Sequence, residues 1–146
     1  MGSMRARFAV VALALALLVG TTAIALGDPP VKGAKYKGAL TTNSSVTVSF
    51  KVSKNGKMVT RFVPKPTFPN ACGSGGPPPK YVSTPAKIKH GKFKAKVYTV
   101  TTDGTKVLAG TATGVFRKHR TAKGVLKPSS ALPPACVKKF AYTAKA

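Results

Sequence analysis

Apolar and polar side chains alternate with period two along most of the chain after residue 35. The pattern is cleanest over residues 46 to 53, where Val46, Val48, Phe50 and Val52 interleave with Thr47, Ser49, Lys51 and Ser53. Side chains of an extended strand point alternately to its two faces, so this stretch predicts a strand with one buried and one solvated side. Asn55-Gly56 follows, a pair suited to the positive φ angles of a type I′ turn, and Met58 to Val63 returns as the partner strand. Residues 90 to 100, HGKFKAKVYTV, repeat the pattern: Phe93, Ala95 and Val97 share one face, while Lys92, Lys94 and Lys96 share the other at a spacing of about 7 Å. His90-Gly91 predicts a turn joining this strand to one over Tyr81 to Lys89. Asp103-Gly104 predicts another, leading into Thr105 to Phe116.

Further strands are predicted over Tyr36 to Thr42, Gly124 to Lys127 and Cys136 to Ala144, with a break at residues 117 to 123 and a Pro/Ser loop from Pro128 to Pro134. The stretch PKPTFPNACGSGGPPPK, residues 64 to 80, carries six prolines and three glycines and is predicted as a loop, because proline cannot donate to a ladder. No stretch beyond the first 27 residues has the period of an amphipathic helix. Seven to eight short strands separated by turn signals predict an all-β, single-domain antiparallel β-sandwich or meander β-barrel over residues 36–146.

The beginning of the chain has a different pattern. Arg5 and Arg7 precede an unbroken apolar run from Phe8 to Val19 and then small residues, so residues 1–27 are predicted as a secretory signal peptide cut after Ala25 or after Gly27. An uncleaved anchor is the other reading, although the run falls short of the ~20 residues that span a bilayer comfortably. Residues 28–35, rich in Pro, Gly and Lys, are expected to form a flexible lead-in. Cys72 and Cys136 are the two cysteines of a chain read as exported, so they are expected to form a disulfide. Closing a loop of about 64 residues contributes on the order of 4 kcal/mol through the entropy of the unfolded chain.

Charge sharpens the picture most. The chain carries 25 Lys and Arg against two acids and a formal net charge of +23. Without Arg5 and Arg7 the balance is +21, with Asp28 and Asp103 as the only carboxylate side chains. Self-repulsion at that density is a cost to the compact state, relieved by counter-ions or by a polyanionic partner. The candidate polyanion-binding residues are Lys87, Lys89, Lys92, Lys94 and Lys96 along one row, and Arg117, Lys118, Arg120 and Lys123 in the cluster around RKHR. Each lysine taken singly is accounted for by solvation of a sheet's outer face. The near-total exclusion of acids is not, because mixed signs serve solubility equally well.

Gly33, Tyr36 and Gly38, then Val48 to Gly56, a cysteine after a loop, Gly91 to Phe93, Gly114 with Phe116, Ala122 to Leu126 and a late cysteine form an order that resembles a family of small secreted actinobacterial β-rich proteins with one cysteine pair. The resemblance spans nearly the whole chain after the leader. It implies an exported β-rich domain and supplies no catalytic residues.

The residues offer little to enzymatic chemistry. Paired-carboxylate catalysis needs two neighbouring acids, yet Asp28 lies in the lead-in and Asp103 in a turn. Ser74, in GSGG, lacks the strand and helix of a nucleophile elbow. His90 and His119, 29 residues apart beside two paired cysteines, do not make a metal-ligand set. No catalytic residue, metal site or cofactor is therefore expected. The expected partners are anionic envelope polymers or lipid headgroups. Nucleic acid is less favoured, because Phe50, Phe93 and Phe116 fall on inward positions and only Tyr98 falls on the lysine face. The reading is a secreted, extracellular or cell-wall-associated, non-enzymatic β domain. The alternative is a carrier whose barrel holds a small apolar ligand, which requires inward side chains too small to fill the barrel.

Overall fold

The computed structural model describes residues 26–73 and 76–146. The predicted leader up to residue 25 and Ser74 lie outside the described residues. Nine strands form one antiparallel sheet: β1 (Lys35–Leu40), β2 (Thr47–Val52), β3 (Met58–Lys65), β4 (Lys80–Ser83), β5 (Ala86–Lys87), β6 (Lys92–Val100), β7 (Lys106–Arg117), β8 (Thr121–Pro128) and β9 (Phe140–Lys145). Their spatial order is β4-β6-β7-β8-β9-β1-β2-β3-β5, a meander in which β9 returns beside β1. The sheet curls until its edges meet. β4 pairs with β6, β5 pairs with β3, and the Phe62 N–H on β3 donates to Ser83 Oγ on β4 at 2.8 Å. Of the two architectures expected, the curled meander is the one observed, and no second sheet is stacked against it among the described residues.

Three local expectations are corrected. The single strand expected over 81–89 is two, because Pro85 has no N–H to donate and the chain changes partners there. The Thr84 N–H reaches the Lys96 carbonyl and the Ile88 N–H reaches that of Lys57. The break expected at residues 117 to 123 is instead a tight hairpin, with Arg117 paired to Thr121 and only residues 118–120 between the strands. His119 and Arg120 turn the chain at φ values of +59° and +58°. Cys136 belongs to a 3-10 turn, Pro134–Cys136, so the last strand begins only at Phe140.

Inside the curl, Tyr36, Phe50, Phe62, Phe93, Phe116 and Tyr142 form a continuous cluster with neighbouring ring centroids 5.0–6.4 Å apart. Stacked and edge-on pairs of this kind contribute about 0.5–1.5 kcal/mol each beyond simple burial. Room for the rings comes from small residues in register with them: Phe93, Gly114, Gly124 and Tyr142 lie side by side across β6 to β9. A Cβ on Gly114 would meet the Phe93 ring and would stand 2.9 Å from Tyr142 Oη. Tyr142 crosses over Gly124 and donates its hydroxyl hydrogen to the Thr113 carbonyl at 2.9 Å. The interior is therefore packed, and the side chains it would have to lack to hold a small apolar ligand are present.

The two ends of the barrel differ. At one end, short turns at 53–57, 90–91 and 118–120 meet the stretch expected to be a flexible lead-in. That stretch is tied by backbone hydrogen bonds from Gly27 to His90, Asp28 to Phe116 and Gly33 to Ser53. At the other end, the proline-rich loop is anchored by the Cys72–Cys136 disulfide, as expected, and by the Ala71 N–H to the Cys136 carbonyl. Its Phe68 is buried against Gly110, with its N–H donated to Tyr81 Oη at 2.6 Å.

Replacing Gly124 or Gly114 with Ala forces a methyl group into a site already filled by ring and backbone atoms. Each substitution is expected to destabilise the fold by about 2–3 kcal/mol, read as a lowered thermal midpoint, whereas Ala39→Gly on the solvent side of β1 costs no more than about 1 kcal/mol.

Candidate anion-binding surface

Alternation places the expected lysine row outward. In β6, Phe93, Ala95 and Val97 are buried, Lys94 and Lys96 are exposed, and Lys92 is half-buried. Antiparallel register then sets Lys92 across from Val115 and Lys123, and Lys96 across from Thr111 and Lys127. Two lysine rows, on β6 and β8, thus flank an uncharged row on β7 at a separation of about 10 Å. Tyr98 keeps the phase of Lys92, Lys94 and Lys96 and is half-buried, beside a register shift that leaves one extra residue on β7.

The remaining candidates are not all brought together. Lys89 closes the His90-Gly91 turn through its bridge to Lys92. Lys87 sits on the edge strand β5, paired with Met58 on β3. Arg117, Lys118, Arg120 and Lys123 surround the β7–β8 hairpin, where an open depression is lined by Arg117, Lys118, His119, Thr121, Lys123 and Asp28. One of the two acids thus lies among the residues of the densest basic cluster.

A second basic face was not legible in the sequence. On the outside of β9, β1 and β2, Lys145 stands directly opposite Lys37, and Lys35 directly opposite Lys51. Like charges in directly opposed positions are unfavourable. β3 continues the face with a bulge: Ser49 pairs with Val63 but Lys51 pairs with Thr60, so one extra residue stands on β3. The bulge lets Val59 and Phe62, three positions apart, both point inward, and it holds Arg61 at φ +53°, a conformation that ordinarily favours glycine. Arg61, Lys35, Lys51 and Lys65 line an open groove of about 440 Å³ with Gly33, Ser49, Phe50 and Val63, and no acidic residue is among them. The sequence signal was the broken alternation of Val59 and Phe62; the convergence of Lys35 and Lys51 on Arg61 depends on cross-strand register.

The titratable groups with displaced values serve the framework. Asp103 accepts from the Thr101 hydroxyl and from the N–H and hydroxyl of Thr105, and these bonds lower its pKa to about 2, fixing it as a turn residue. Burial pushes the Tyr142 phenol far above its ordinary range, which keeps it a hydrogen-bond donor. Burial also raises Tyr81, partly offset by the hydrogen bond from Phe68. His90 and His119 occupy turns with positive φ; the His90 carbonyl accepts from the Gly27 N–H, and His119 lines the depression that contains Asp28. Among the described residues, no three His, Cys, Asp or Glu side chains gather as a metal-ligand set.

No protein-family model matches the chain, and no curated protein matches it. Among solved structures, a point mutant of the vaccine antigen transferrin-binding protein B from Haemophilus parasuis aligns with a TM-score of 0.43 at 16% identity. The alignment covers 81% of this chain and 27% of that one, a likeness too loose to carry an assignment of fold or function.

Arg61→Gly relieves a left-handed backbone that costs a non-glycine residue about 1–2 kcal/mol, against a glycine entropy cost of about 0.5–1 kcal/mol. Denaturant unfolding is expected to find this variant at least as stable as the parent. Asp103, with its folded pKa below the ordinary value near 3.8, contributes stability that is complete above that value and is lost as pH falls from about 4 toward 2. Thermal melts over that interval are expected to decline less steeply for Asp103→Asn than for the parent.

Proposed function

We propose that this chain is an exported, non-enzymatic β domain that associates with anionic polymers of the cell envelope through its cationic outer faces. The observation that carries this reading is the arrangement of like charge. Lysines stand directly opposite one another at Lys37–Lys145 and Lys35–Lys51, and parallel lysine rows run along β6 and β8, in a chain with two acidic side chains. Repulsion between opposed cations weakens the free protein and is relieved when phosphate or carboxylate groups lie between them. The disulfide is compatible with an oxidising compartment, and the ring-filled interior favours an outer surface over an internal ligand site.

Association of this kind releases counter-ions, so its strength falls steeply with salt, whereas apolar carriage does not. Purified protein is expected to be retained on isolated anionic envelope material at low ionic strength and released at roughly 0.5 M salt, where the Debye length is a few ångströms. Absence of retention at low salt refutes the proposal.

A further inference from the structure

We infer that the groove formed by Arg61, Lys35 and Lys51 is a discrete seat for phosphate groups, distinct from the diffuse lysine surface. The inference rests on the envelope-binding reading only for the source of the phosphate, namely a phosphate-bearing polymer of the envelope. Three features single this place out. First, Arg61 holds φ +53° inside a strand, whereas the other non-glycine residues of positive φ, His90, His119 and Arg120, lie in turns, and backbone strain retained at an exposed strand position is a mark of use rather than of packing. Val59 and Phe62 explain why β3 needs an extra residue; they do not explain why that residue is arginine. Second, Lys35 and Lys51 are held directly opposite each other by the β1–β2 ladder and line the same groove as Arg61, so three cations converge on one open concavity. Third, no acid lines this groove, whereas the RKHR depression contains Asp28.

The ligand class follows from the donors. A guanidinium offers a planar fork of N–H groups, and each ammonium adds a mobile point charge. A phosphate group has enough peripheral oxygens to meet all three cations at once, and a phosphate chain can continue toward Lys65, which lines the same groove and pairs with Thr47 further along β2. A single carboxylate satisfies the fork alone and leaves the lysines opposed.

The test uses inorganic tripolyphosphate as probe and polyglutamate as its carboxylate counterpart, titrated calorimetrically into purified protein at about 0.15 M salt, where diffuse attraction is screened beyond about 8 Å. Arg61→Gly keeps the bulge conformation and removes the fork, and is expected to bind tripolyphosphate at least ~10-fold more weakly. Arg61→Lys, which restores charge without the fork, is expected to recover part of that loss. The double change Lys35→Gln/Lys51→Gln tests the opposite wall of the groove with an equivalent expected loss. Lys138→Gln/Lys139→Gln, two exposed lysines before β9 that do not line the groove, is expected to stay within about twofold of the parent, and polyglutamate to bind at least ~10-fold more weakly than tripolyphosphate. Equal affinity of parent and Arg61→Gly, or a loss at Lys138/Lys139 as large as that at Arg61, overturns the seat while leaving salt-sensitive envelope retention standing. Equal binding of polyglutamate overturns the phosphate assignment. Failure of the parent to bind tripolyphosphate while it is still retained on envelope material also overturns the seat, whereas loss of that retention at low salt overturns the wider reading instead.

Discussion

Phe93 and Tyr142, laid from either side over the paired glycines Gly114 and Gly124, set the curvature on which the rest of the sheet depends. A closed or nearly closed sheet of this size has an interior just wide enough for side chains, so large inward residues must face small ones. Here the matching is by register: two rings flank two glycines, Phe116 lies level with Ala122 and Ala144, and Ala95 with Ala112 and Leu126. These rings meet Tyr36, Phe50 and Phe62 of the opposite wall edge-on or tilted, joining β6–β9 to β1–β3 through the centre. The buried Tyr142 hydroxyl ends on the Thr113 carbonyl, and among the described residues no buried side-chain nitrogen or oxygen lacks a hydrogen-bond partner.

What could be read from the chain alone was whatever depends on neighbours in sequence. Alternation located Phe50, Phe93 and Phe116 inside and Lys94 and Lys96 outside, and the Asn55-Gly56, His90-Gly91 and Asp103-Gly104 pairs located three turns. Turns made without glycine were missed: His119 and Arg120 bend the β7–β8 hairpin in a conformation their side chains do not advertise, so the segment read as a break. The change of partner at Pro85 was likewise hidden, since a strand that leaves one neighbour for another keeps its extended shape and its composition. The second basic face was illegible for a stronger reason. Lys35, Lys37, Lys51, Arg61 and Lys145 are scattered over 110 positions of sequence, and only the return of β9 beside β1 and the bulge in β3 assemble them.

Inside and outside are coupled through energy. A domain of about 120 residues that leaves its outer faces cationic loses the small favourable contributions that cross-strand ion pairs make elsewhere and carries repulsion in their place. That deficit is of the order of a kcal/mol for each opposed pair, a large fraction of a typical net stability. The compensation is internal and insensitive to salt: the aromatic cluster, the disulfide that holds the proline-rich loop over one mouth, and the backbone ties that hold residues 27–34 over the other. Because none of these devices uses a surface charge, the surface can be spent on a single sign. The same independence makes the cationic faces separable from the fold, since lysines on β1, β2, β6 and β8 are removable one by one without touching the rings beneath them. Arg61 is the exception that links the two layers: its backbone belongs to the bulge that turns Phe62 into the core, while its side chain belongs to the groove outside. A position where core geometry and surface charge are set by the same residue has a fixed location and direction. That distinguishes a seat from a charged surface.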